Sequence, residues 1–232
     1  MTLRPLTRDE VRSIDATAAK ELGLPTLILM ENAGSGAAEV LRERLKASSN
    51  VVILCGPGNN GGDGGVVARH LDAWGHAVKI IWFAEPEKLA PDAATQFGIL
   101  EKSGISQQSL PDATSTEELD ALFQGADWLV DGLLGTGLTR PVDGWLHAVI
   151  KSVNRSGTPV LALDVPSGMD ADTGNVLGIA VKATLTATFV APKVGFTGPF
   201  STNAGEVRVV EIGVPGRLLR PFALQGPDDR PV

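Results

Sequence analysis

Two aspartates, each directly behind a short apolar run, are the residues of this chain best placed to do chemistry. Trp128-Leu129-Val130 runs into Asp131-Gly132-Leu133-Leu134-Gly135-Thr136-Gly137-Leu138, and Val160-Leu161-Ala162-Leu163 runs into Asp164-Val165-Pro166-Ser167-Gly168. A carboxylate at the carboxyl end of a buried strand is poorly solvated, so it needs a partner or a ligand. A third apolar run, Val51-Val52-Ile53-Leu54-Cys55, leads into Gly56-Pro57-Gly58-Asn59-Asn60-Gly61-Gly62-Asp63-Gly64-Gly65. Strand, glycine loop, then helix is the order that seats an anion on a helix N-terminus. Glycines in such a loop can take φ > 0 and let the backbone approach a ligand, and successive N–H groups form an anion nest. Asn59, Asn60 and Asp63 make the loop unusually polar, and one that held only phosphate would have little use for a carboxylate. A fourth run, Thr186–Val190, ends in Ala191-Pro192-Lys193, which offers a cation to a phosphate or to a reacting centre.

Each feature has a plainer reading. An aspartate after a strand often caps a helix or closes an Asx turn, Gly135-Thr136-Gly137 and Ser167-Gly168 can be simple turns, and most lysines are solvated. Their coincidence at one edge of one sheet favours a shared site. The oxygen donors there are the amides of Asn59 or Asn60, the Asp131 carboxylate, the Ser167 hydroxyl and backbone carbonyls. Such hard oxygens suit alkali, magnesium or calcium ions. His70, His76 and His147 fall elsewhere, and neither a Ser–His–Asp order nor a zinc-ligand spacing is present.

The elements that must position these residues alternate. Helices are expected over about residues 8–22 (opened by the capping box Thr7-Arg8-Asp9-Glu10), 27–46, 64–74, 93–103, 117–124 and 145–155. Strands are expected at Val51–Cys55, Val78–Phe83, Trp128–Val130, Val160–Leu163, Ala183–Val190 and Val207–Ile212. Continuous apolar strands between helices imply a parallel sheet covered on both faces, which binds ligands beyond the carboxyl ends of its strands. The chain of 232 residues reads as one α/β domain over residues 1–220, with a loosely ordered tail from Pro221 to Val232.

A net charge of −7 without a basic stripe argues against a nucleic-acid partner. No apolar run reaches the length of a membrane span, and Met1-Thr2-Leu3-Arg4-Pro5 has no signal core behind it. One cysteine, Cys55, excludes an internal disulfide and fits a reducing compartment. A soluble, cytoplasmic protein is expected.

The four strand-end motifs, together with Met30-Glu31-Asn32-Ala33-Gly34, closely resemble the NAD(P)H-hydrate epimerase family, or YjeF N-terminal domain, over about residues 6–218. The resemblance implies a Rossmann-like three-layer α/β/α sandwich with a mostly parallel central sheet. It implies an isomerase that interconverts the R and S forms of hydrated NADH and NADPH, feeding an S-specific dehydratase. Many bacterial members carry that dehydratase on the same chain. Here only a short tail follows Ile212, so the expectation is a free-standing epimerase with a separate dehydratase partner. The resemblance also implies a homodimer built with the N-terminal helices. It places a potassium ion on Asn60, Asp131 and Ser167. Substrate contacts would come from Asn59, Asn60, Gly61, Gly62, Asp63, the segment Gly135, Thr136, Gly137, Leu138, Thr139, Arg140, Pro141, and Asp164. On chemical grounds Asp164 is expected to be the acid–base group and Lys193 its helper.

Two other readings fit parts of the chain. Gly56-Pro57-Gly58-Asn59-Asn60-Gly61 literally matches G-x-G-x-x-G, and Glu85 could serve as the ribose acid of an NAD-dependent oxidoreductase. That reading leaves Asp131 and Asp164 unexplained. A non-catalytic nucleotide-binding module on the same fold is the other, since fold does not fix function. The presence of both aspartates and the polar loop residues favours catalysis.

Overall fold

A computed structural model describes residues 1–111 and 115–224. Its centre is a seven-stranded sheet: β1 (Asn50–Cys55), β2 (Ala77–Trp82), β3 (Gln107–Ser109), β4 (Trp128–Gly132), β5 (Val160–Leu163), β6 (Leu185–Phe189) and β7 (Glu206–Val210), in the order β3-β2-β1-β4-β5-β6-β7. Every pairing is parallel. Parallel neighbours need crossover connections. Four carry a helix, α3 (Asn59–Ala73), α4 (Pro91–Lys102), α5 (Thr116–Phe123) and α6 (Gly144–Ser156), whereas β5 reaches β6, and β6 reaches β7, without an α-helix. Two further helices, α1 (Arg8–Leu22) and α2 (Thr26–Arg42), precede the sheet, and a short α7 (Gly216–Leu219) follows it.

Two apolar layers confirm the three-layer build. Val51, Ile53, Cys55, Val130, Leu161 and Leu163 pack with α1–α4 on one face, and Val52, Leu54, Leu129, Val149, Ile150 and Val153 form the other layer with α5 and α6. Alternation along one strand therefore feeds both layers, as a doubly covered sheet requires. Chain order reverses between β1 and β4, which opens a crevice at their carboxyl ends.

Four expectations need correction. The third helix starts at Asn59 rather than Gly64, so Asn59, Asn60 and Asp63 belong to helical turns and not to a loop. None of the glycines from Gly56 to Gly65 takes a positive φ. The second helix closes at Arg42, short of Lys46. The edge strand β3 was not expected, because Gln107-Gln108-Ser109 is polar and three residues long, without apolar alternation.

Of the expected tail, residues 221–224 are tied to the N-terminus: Leu3 bridges Ala223, and the Leu224 N–H donates to the Thr2 carbonyl at 2.9 Å. Residues 225–232 lie outside the described residues. Among the described residues no helix is long and apolar enough to cross a membrane.

Candidate active site

The carboxyl ends of β1, β4, β5 and β6 open onto a cavity of about 590 Å³, closed from the other side by α1 and α2. Its size falls in the range of small-molecule sites, about 300–1,000 Å³.

The glycine run brings backbones together rather than wrapping a ligand. A Cβ on Gly56 would stand 1.9 Å from the Leu133 carbonyl oxygen, and one on Gly61 would stand 2.0 Å from that of Gly56. Gly62 packs on Met30 and Ala93, Gly64 on Cys55, and Gly65 on Gln96. The glycines thus let α3 sit against the sheet and against α2, which delivers Asn59, Asn60 and Asp63 to the cavity wall. Gly61, Gly62 and Pro141 are not among the lining residues, whereas Gly135, Thr136, Gly137, Leu138, Thr139 and Arg140 are.

Strands β5 and β6 both end in a backbone conformation that side-chain-bearing residues seldom adopt. Asp164 has φ +65° and Val190 φ +68°. In each, the next residue donates back across it: Val165 N–H to the Leu163 carbonyl and Ala191 N–H to the Phe189 carbonyl, both at 2.8 Å. These are γ-turns of the rarer hand, and each costs about 1–3 kcal/mol. Both residues line the cavity.

Behind Asp164 lies Lys193, fully enclosed. Its Nζ stands 2.6 Å from Asp164 Oδ1. It also donates to Thr188 Oγ1 at 2.8 Å, the Phe189 carbonyl at 2.9 Å and the Ala191 carbonyl at 3.2 Å. The lysine is thus a buried cation rather than a solvated one. The segment carrying it is clamped by Leu6, whose N–H donates to the Pro192 carbonyl at 2.8 Å and whose carbonyl accepts from Val194 N–H at 3.0 Å. Asp164 Oδ1 also accepts from the Phe189 N–H at 3.2 Å. Asp164 Oδ2 has no hydrogen bond among the described residues, so it is the oxygen left for a ligand.

Asp131 is completely buried at the end of β4. It accepts from Ser167 Oγ at 2.6 Å, Ser167 N–H at 2.8 Å and Leu133 N–H at 3.2 Å. Burial pushes its carboxyl up to about 6 against those hydrogen bonds. No cationic side chain pairs with it among the described residues. Asn60 Nδ2 donates to the Leu134 carbonyl at 2.9 Å, and Leu134 N–H donates to Ser167 Oγ at 2.8 Å. Asn60, Asp131 and Ser167 therefore gather around the Leu133–Gly135 segment. A buried carboxylate with no counter-cation, beside hydroxyl, amide and carbonyl oxygens, is a donor set that fits a hard cation.

Sequence reasoning missed the contribution of the N-terminal helices. Arg12 and Asp15 from α1, and Thr26 and Met30 from α2, line the cavity. Only the resemblance of Met30-Glu31-Asn32 hinted at this. Glu85, which a dinucleotide fingerprint would need, is exposed and outside the lining.

Asp63 is buried on the cavity wall, and its carboxyl is raised well above the ordinary value, first by burial and then by Asp164, Asp15 and Asp92. A raised carboxyl binds its proton more tightly in the folded chain than in the unfolded one, so stability falls as pH rises above the unfolded value of about 4. Asp63→Asn keeps the shape of the protonated acid and removes this cost. Its Tm should exceed that of the wild type at pH 7–8, and the gap should close towards pH 4. Equal Tm values across that range, by calorimetry, would contradict the assignment.

A parallel sheet with a polar, carboxylate-bearing crevice at its switch point defines an α/β protein of Rossmann-like architecture. The chain belongs to the YjeF-related protein N-terminus family, whose model matches residues 26–195. It is 44% identical to an NAD(P)H-hydrate epimerase of Rhodopirellula baltica over 97% of this chain and 90% of that one. It is 40% identical to an NAD(P)H-hydrate epimerase of Pirellula staleyi, over 91% of this chain and 93% of that one. A bifunctional NAD(P)H-hydrate repair enzyme of Thermofilum pendens is 39% identical over 96% of this chain, which spans 43% of that longer protein. The crystal structure of yeast ynu0 shares the fold, with a TM-score of 0.79 at 21% identity over 96% of this chain and 95% of that chain.

Proposed function

We propose that this chain is an epimerase that interconverts the R and S forms of hydrated NADH and NADPH. Near full-length similarity to proteins named NAD(P)H-hydrate epimerase supports the reading. The observation that carries it is Asp164, with one carboxylate oxygen held by enclosed Lys193 and the other left to the cavity.

The chemistry moves no hydride. The ring nitrogen lone pair forms a C=N bond as the C–OH bond breaks, and the electron pair leaves with oxygen. A proton from an acid makes that oxygen water. The planar cationic ring then takes up water on its other face, and a base removes the extra proton. Atoms and charge return to their starting count. Asp164 is suited to the proton transfers, and its negative charge also stabilises the cationic ring. Lys193 fixes the rotamer of Asp164 and keeps one of its oxygens committed. The polar groups of Asn59, Asn60 and Asp63 and the 135–140 segment would bind the nucleotide.

Potassium would be held by Asn60, Asp131 and Ser167. As a weak Lewis acid it would supply organisation rather than activation of water, with its ligands coming from α3 and the ends of β4 and β5. A cation that binds only the folded chain stabilises it: about 2.7 kcal/mol at 100-fold saturation, or about 5–10 °C for a chain of this size. Tm should therefore be higher in potassium chloride than in tetramethylammonium chloride at equal ionic strength, and Asp131→Ala should abolish the difference. An unchanged Tm would remove the ion from the site.

A dehydratase selective for one epimer would be the partner reaction, in the cytoplasm, and the active species is proposed to be a homodimer. The decisive experiment is chiral chromatography of a single purified epimer of hydrated NADH with and without the protein. Acceleration of the approach to the epimer mixture is expected. A rate equal to the protein-free control defeats the proposal.

A further inference from the structure

Inversion of a stereocentre by loss and return of water asks for proton transfer on both faces of the planar ring. One carboxylate fixed at a strand end serves one of those faces. A second titratable group must reach the same cavity from elsewhere. Among the lining residues there are three aspartates: Asp164 from the end of β5, Asp63 from α3 and Asp15 from α1. Asp63 is buried in the wall, and its carboxyl is raised by that burial and by the neighbouring aspartates.

Asp15 differs in kind. It is partly exposed at the cavity, yet its Oδ1 is enclosed and accepts no hydrogen bond among the described residues. An enclosed carboxylate oxygen without a partner is costly, and here it belongs to a residue of the cavity wall. The capping box at Thr7–Glu10 and the left-handed Gly23 already fix both ends of α1, so Asp15 has no capping task in that helix. Burial, then the charge of Asp164, push its carboxyl up to about 6, while Lys193 opposes them. The two aspartates line the same cavity, but only Asp164 has the lysine on its carboxylate. Two carboxyls whose surroundings differ in this way can divide acid and base roles.

On the epimerase reading, we infer that Asp15 is a second catalytic residue, exchanging a proton with the hydroxyl or water on the ring face that Asp164 does not serve. In one direction Asp164 protonates the departing hydroxyl while Asp15 takes the proton from the incoming water, and in the other direction the roles reverse. No other reactant is needed.

The test is oxygen-18 exchange. A single epimer is incubated with enzyme in labelled water, and both epimers are separated and weighed by mass spectrometry. In the wild type, label should appear mainly in the inverted product. In Asp15→Asn, which loses no hydrogen bond of the resting protein, inversion should fall about 10²-fold or more. Label should then accumulate in the starting epimer, because water returns to the face that Asp164 still serves. In Asp15→Ala, added formate should restore part of the inversion. If Asp15→Asn slows exchange and inversion equally, or inverts within threefold of wild type, Asp15 is not a catalytic residue. If the wild type itself does not interconvert the epimers, the epimerase reading falls and this inference with it. An active wild type with an unchanged label ratio in Asp15→Asn overturns the role of Asp15 alone.

Discussion

Asp164→Asn should lower epimer exchange by about 10²–10⁴-fold, the range lost when a positioned acid–base group is removed. The substitution suits its site. Asparagine tolerates positive φ better than most residues, so the turn at φ +65° can persist. The carboxamide oxygen can still accept from Lys193 Nζ, which stands 2.6 Å from Oδ1 in the native pair, and from the Phe189 N–H. What is lost is the ability to give and take a proton and the negative charge beside a cationic ring. Stability should fall by less than the about 3–5 kcal/mol seen when a buried pair loses one partner outright, because Lys193 keeps its acceptors on Thr188, Phe189 and Ala191. Chiral chromatography gives the rate and calorimetry the Tm. Exchange within threefold of wild type, in a protein that melts normally, would remove Asp164 from the chemistry.

The parts of this site legible in the sequence are those that depend on local order. An apolar run followed by an aspartate or a glycine–asparagine string marks a strand end wherever it occurs, and parallel topology places the ends of β1, β4 and β5 side by side. Asp131, Asp164, Asn59 and Asn60 could therefore be picked out in advance. The exact start of α3 could not. Gly-Gly runs read as loop because glycine is a poor helix former, but close packing of α3 against the sheet and α2 overrides that propensity. Asp15 was invisible for a different reason. It sits among the polar and small residues of an amphipathic helix, where an acid reads as a solvated face. Only the tertiary fold, which carries α1 across the crevice, makes it part of the wall. Lys193 was legible as a candidate, but its full enclosure was not, because that depends on the clamp made by Leu6 from the far end of the chain.

Lys193→Met should cost more stability than any other change at this site. The lysine is wholly enclosed, and the partner carboxylate is 13% exposed. Methionine fills similar volume but leaves Asp164 as a poorly solvated charge and takes a donor from Thr188 Oγ1 and from the Phe189 and Ala191 carbonyls, of which Phe189 keeps the Ala191 N–H, at about 3–5 kcal/mol. At about 2–4 °C per kcal/mol for a chain of this length, Tm should drop by about 6–20 °C. The double variant Asp164→Asn/Lys193→Met separates this loss from catalysis. It removes the uncompensated charge, so it should melt above Lys193→Met alone, and the two changes should be strongly non-additive. It should nevertheless remain as inactive as Asp164→Asn, because the acid–base group is still missing. If the double variant melts at the sum of the two single losses, the pair is not coupled through its charge. Lys193 would then be a packing residue, and the strained turns that present Asp164 and Val190 to the cavity would have to be held by the backbone alone.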